Sequence, residues 1–176
     1  NESNLGTFLQ PQFNAHGRIV SPANYAKLAA AGYAGIKAGN ARALVAIGDA
    51  YVDGALGDSQ RALTYYQQAV TAADALRNNP QAEVRQLAGE TLIDAHLGAA
   101  DAISRAPYQN KPQAVSRWLE QAVKLLQETY AQQPDALADA AFAVGVRATE
   151  IATRLEGQLD VRSWADDVRA MSGMRR

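Results

Sequence analysis

Apolar positions recur along this chain at spacings of three and four, the period of helices buried on one side. No segment alternates apolar and polar residues beside hairpin-turn residues. The first run follows Ser21-Pro22, a serine N-cap with proline at the first helical position. It predicts a helix over 21–37 whose buried stripe is Tyr25, Leu28, Ala29, Gly32, Tyr33 and Ile36, with Gly39-Asn40 as its stop. A second helix is expected over 41–52. Gly54 and Gly57 then bracket a turn, and Asp58 or Ser59 caps a third helix over 59–77. That helix places Ala62, Leu63, Tyr66, Ala69, Val70, Ala73 and Leu76 on one face and stops at Asn78-Asn79-Pro80.

A fourth helix is expected over 82–104, with Val84, Leu87, Ala88, Thr91, Leu92, Ala95, Ala99, Ala102 and Ile103 inward. The fifth, over 113–132, buries Val115, Trp118, Leu119, Ala122, Leu125, Leu126, Thr129 and Tyr130. Glu120, Lys124 and Glu128 lie opposite at the i,i+4 spacing of solvent-side ion pairs. The sixth opens at Pro134-Asp135 and runs to 155, broken by Gly157. Ala140, Ala141, Val144, Ala148, Ile151, Ala152 and Leu155 line one side of it. Phe142 and Val146 lie off that side, which predicts burial on more than one face. A short helix over 161–171, with Val161, Trp164, Ala165 and Val168 on one face, suits a cap on a helical stack. The reading is all-α, about seven helices paired as antiparallel hairpins in a single domain over 21–176. Residues 1–20 are an irregular leader anchored by Phe8, Leu9, Phe13, Ile19 and Val20.

Composition narrows the function. At 176 residues the chain suits one domain with a sizeable core. A formal net charge of −1 and a pI near 6.1 give no basic surface for nucleic acid or anionic lipid. The absence of cysteine removes disulfides, thiolate zinc sites and cysteine nucleophiles. No apolar stretch is long enough to span a membrane. The chain begins at Asn1 without a basic and apolar leader, so a processed or trimmed product is expected; exported and cytoplasmic locations both stay open.

The segment ALVAIGDAYVDGALGDSQRALTYYQQAVTAADALRNNP, residues 43–80, resembles a tetratricopeptide repeat, a helical hairpin used to bind other proteins. Leu44, Ile47-Gly48 and Tyr51 look like its first-helix pattern. Ala62, Tyr66, Ala69 and Pro80 look like its second-helix pattern. The turn is about two residues longer than the plain repeat allows, as in longer-looped relatives. Ala114, Trp118, Ala122 and Pro134 echo the second-helix pattern more weakly. The resemblance implies a short right-handed array of hairpins whose first helices line a concave groove for a protein or peptide.

Residues 1–48 are also similar to a stretch of TIM-barrel glycoside hydrolases, in which an Asn-Glu-Pro-Asn run ends a barrel strand. That likeness makes Glu2 the acid/base, with Ser3 in place of the proline, and makes 43–48 a strand. Such an enzyme needs a second carboxylate about 5–9 Å away and a barrel of about 250 residues. Glu90, Glu120, Glu128 and Glu150 all lie in helical patterns instead.

Little other chemistry is encoded. His16 and His96 are the only histidines; His16 reads as a turn residue and His96 as a partly exposed helix residue. Asp94 and His96 diverge by about 200° around a helix and share no metal. No Ser-x-x-Lys, Gly-x-Ser-x-Gly or phosphate-cradling glycine loop occurs. The expectation is a non-enzymatic scaffold without cofactor, metal or catalytic residues. An oligomerising accessory subunit or a hydrolase fragment are its alternatives. The groove residues are expected to be Arg42, Asp49 and Asp53 from the second helix and Arg85, Glu90 and Asp94 from the fourth. Tyr65, about 100° round the helix from Tyr66, joins them.

Overall fold

A computed structural model describes residues 15–16, 21–53, 58–155, 158–159 and 162–173. The described residues form six helices and no strand: α1 (Ser21–Asp53), α2 (Ser59–Asp74), α3 (Ala82–Arg105), α4 (Lys111–Thr129), α5 (Pro134–Thr153) and α6 (Arg162–Met171). Apart from an exposed turn at 15–16, the expected leader lies outside the described residues. So do Glu2, the turn glycines Gly54 and Gly57, and Gly157. Residues 43–48, a strand in the hydrolase likeness, are helical.

One helix stands where two were expected. α1 runs through Gly39-Asn40 without a break. Gly and Asn in a helix interior cost about 1 kcal/mol or less each relative to Ala. Burial of Ala38 and Ala41 on either side offsets that cost. Continuity also moves the buried stripe. The C-terminal half sets the face with Ala41, Val45, Gly48 and Val52, and its extension toward the N-terminus falls on Ala38 and Ala34. Tyr33 and Ile36, expected in the stripe, are therefore exposed, and Tyr33 carries Lys37 over its ring at 5.2 Å. Gly32 is exposed as well.

α2 starts where Asp58 accepts a hydrogen bond from the Arg61 backbone N–H at 3.0 Å, the N-cap expected there. Its Ala62, Tyr66, Ala69 and Ala73 are buried against α1 and α3. α3 is the centre of the molecule and packs on α1, α2, α4 and α5. From Thr91 to Ser104 every residue is buried except Asp94, so the one-sided stripe expected here is exceeded. Small residues permit this. A methyl added at Gly98 would overlap the Tyr66 ring, and one at Gly89 would overlap Thr129 of α4.

His96, expected to be partly exposed, is buried against Trp118 with ring centroids 4.8 Å apart. Its Nδ1 lies 2.7 Å from the Leu92 carbonyl, which requires the proton on that nitrogen. Desolvation lowers its pKa and keeps the ring neutral.

α4 enters through left-handed Asn110 and Pro112, and buries Val115, Leu119, Ala122, Val123, Leu125 and Leu126. α5 buries Ala141, Val144, Ala148 and Ile151 as expected. Phe142 and Val146, expected inside, stand exposed, on the side of α5 opposite its buried residues. α6 closes the chain over α4 and α5 with Trp164 and Val168.

Candidate binding groove

α1, α3 and α5 lie side by side, while α2 packs behind α1 and α3, and α4 behind α3 and α5. The exposed face of the first three helices is a groove in two connected parts that share Ala143 and Arg147. The part of about 370 Å³ is lined by Arg42, Glu90, Ile93, Asp94, Leu97, Leu126, Tyr130, Ala140, Ala143, Val144 and Arg147. The part of about 630 Å³ is lined by Asp49, Asp101, Arg105, Phe142, Ala143, Val146, Arg147, Glu150, Ile151 and Arg154.

The polar groups on this floor are bonded across helices. Arg42 of α1 lies 3.6 Å from Glu90 of α3. Glu90 also accepts from the Tyr130 hydroxyl at 3.3 Å and from Gln86 at 3.1 Å. Arg147 of α5 lies 3.4 Å from Asp49 of α1. Asp49 accepts the Tyr66 hydroxyl at 2.7 Å, so one carboxylate ties α1 to both α2 and α5. Farther along, Asp101 of α3 accepts from Arg105 at 3.0 Å and from Arg154, the C-terminal cap of α5. These charge-assisted bonds, partly screened from water, are the polar connection of α5 to the stack.

Two pKa shifts follow from this packing. Burial, then the bond to Asp49, pushes the Tyr66 phenol far above its ordinary value, so it stays a donor. Burial also raises the Asp94 carboxyl. Arg147 and Arg42 oppose the rise, and Asp49 and Glu90 reinforce it. Asp94 makes no hydrogen bond or ion pair with any described residue; the two guanidiniums act on it only through space.

Four of the expected groove residues, Arg42, Asp49, Glu90 and Asp94, come together on this face. Asp53 is the last residue of α1, and its side chain lies outside the described structure. Arg85 is turned away. It donates to the Asn79 carbonyl at 2.7 Å and lines a separate cleft beside Arg77 and Glu128. Tyr65 is also elsewhere, stacked on Tyr51 at 5.5 Å on the α1–α2 side. It sits on an outer helix, one residue off the position that points inward.

Sequence reasoning missed Arg147, Glu150 and Arg154. On α5 they occupy polar positions beside the buried stripe, the same signal that marked Asp49 and Glu90. Among the described residues no group of His, Cys, Asp and Glu is arranged to hold a metal ion, and no helix is long and apolar enough to cross a membrane. The chain matches no protein-family profile, no curated protein and no solved structure.

Proposed function

We propose that this chain is a non-enzymatic helical scaffold that binds a protein or peptide segment in the groove of α1, α3 and α5. One observation carries the reading: three alternate helices share a face that is open, polar at its floor and edged by exposed Phe142 and Val146. Single exposed apolar residues are ordinary; a pair one helical turn apart beside a groove is what a partner would cover. The groove residues are tied to one another rather than arranged about a reacting atom, which suits a preformed docking surface.

The alternation of inner and outer helices supports a tetratricopeptide-like array. So does the packing of Tyr66 on Gly48, the aromatic and glycine of the repeat pattern. In that reading α1–α2, α3–α4 and α5–α6 are the hairpins and α6 the cap. The long α1 and the position of Gly98 depart from a regular repeat.

The test is a bulky substitution at Ala143, an exposed residue of α5 that lines both parts of the groove. Ala143→Trp fills the groove without touching the core. A partner captured by the parent chain and lost by Ala143→Trp, at equal melting temperature, supports the reading. A partner retained by Ala143→Trp removes it. Reversal of Asp49 is a poorer test, because Asp49 also holds the buried Tyr66 hydroxyl.

A further inference from the structure

The charges of the groove are unequal, and the inequality specifies the occupant. All of its guanidiniums, those of Arg42, Arg105, Arg147 and Arg154, already lie against carboxylates. Two carboxylates are left over. Glu150 stands exposed at the edge and bonds no described residue. Asp94 lies on the floor, the one residue from Thr91 to Ser104 that is not buried.

A partly buried carboxylate without a donor is costly in the free protein. The α3 backbone cannot supply one, since its N–H groups are used within the helix. Arg42 and Arg147 make their contacts with Glu90 and Asp49 instead and do not bond Asp94. A donor arriving from outside would complete the site. Beside Arg42, Glu90 and Arg147, this part of the groove has apolar lining from Ile93, Leu97, Ala143 and Val144, which suits the methylene stem of a long side chain. An anionic occupant would meet an unneutralised acid, while every guanidinium of the groove already lies against a carboxylate.

We infer that the groove receives an extended basic segment of another protein, with one Lys or Arg side chain inserted to Asp94 and an apolar neighbour against Phe142 and Val146. This rests on the reading of the groove as a binding surface and names the chemistry of what it binds. The inserted cation gains a charge-assisted bond in a site screened from water, where discrimination against a neutral residue is large.

Random-sequence peptides displayed on phage and selected on the full chain test this. The selected sequences are then synthesised and titrated by fluorescence anisotropy. Selected peptides are expected to share a Lys or Arg next to an apolar residue. Asp94→Asn is expected to weaken them about tenfold or more, while Asp167→Asn, an exposed carboxylate of α6 outside the groove, leaves them unchanged. Melting of both variants at or above the parent's temperature shows that folding is intact. Peptides lacking Lys and Arg, or peptides that keep their affinity in Asp94→Asn and lose it in Ala143→Trp, overturn the cationic inference and leave the groove reading standing. Self-association abolished by Ala143→Trp, seen by light scattering, does the same and makes a second copy the occupant. Selection of nothing, or of peptides indifferent to Ala143→Trp, overturns both.

Discussion

The Tyr66 hydroxyl donates a 2.7 Å hydrogen bond to Asp49, joining a buried side chain of α2 to the floor of the groove. The ring itself is held between two helices, because neither Gly48 of α1 nor Gly98 of α3 has room for a methyl against it. Core and groove are thus parts of one arrangement, with Asp49 bonded to Tyr66 on one side and to Arg147 on the other.

Removing the hydroxyl isolates that bond. Tyr66→Phe is expected to destabilise the protein by about 1–3 kcal/mol, the cost of leaving a partly buried acceptor without its donor. Urea unfolding at neutral pH measures it. The same residue sets an alkaline limit. The folded state keeps the Tyr66 proton far above the pH, about 10, at which an unfolded tyrosine releases it. Stability from this group is complete below that pH and declines as pH rises beyond it, by up to about 1.4 kcal/mol per pH unit. Tyr130, also raised, adds to the decline. Tyr66→Phe should flatten it in melts taken above pH 10.

The two glycines give a packing prediction. Gly98→Ala is expected to cost about 1–3 kcal/mol by forcing the Tyr66 ring aside. Combined with Tyr66→Ala, which opens the space, the alanine should cost little or become favourable through its helix propensity. A four-variant unfolding cycle decides. Equal cost of Gly98→Ala in both backgrounds would show that the ring is not what the glycine accommodates.

Asp94 should behave oppositely to a stabilising acid. Its raised pKa means the folded state disfavours the carboxylate. The contribution to stability is therefore complete at low pH and lost as pH rises through the raised value. Asp94→Asn is expected to raise the melting temperature at pH 7, and the gain should shrink as pH falls toward the ordinary aspartate value near 3.9. A residue that costs stability where the groove is open fits a site kept for binding.

The attachment of α5 can be loosened separately. Arg154→Ala removes one of the two guanidiniums on Asp101 and the cross-helix one. Amide exchange in Pro134–Thr153 should accelerate, while α2, which Arg154 does not touch, keeps its protection.

Much of this architecture was legible where the signals are local. The Asp58 cap of α2 and the stripes of α4 and α5 are short-range features, and α2 to α6 lie close to their expected places. The misreading at Gly39-Asn40 has a physical cause. A helix-stop signal is worth about 1 kcal/mol, and Ala38 and Ala41 lie against other elements that the local sequence does not reveal. The exposure of Tyr33 and Ile36 followed from the same error. In the groove, Asp49, Glu90 and Asp94 were visible as polar positions beside buried stripes. Arg147 and Arg154 carried the same signal, but the contacts that draw them in, to Asp49 and Asp101, lie 98 and 53 residues away along the chain. Tyr65 lies on α2, outside the groove, and stacks on Tyr51, a contact between helices that spacing alone does not specify.

The central claim is that the face of α1, α3 and α5 is where another polypeptide binds. Site-directed photocrosslinking tests it most directly, with a benzophenone amino acid placed at Ala143 in the groove or at the exposed Ala170 of α6 outside it. Each labelled chain is irradiated with the peptides selected on the parent chain. The account predicts adducts from position 143, suppressed by excess unlabelled peptide, and none from position 170. Adducts from 170 with none from 143, or equal yields from both, would contradict it.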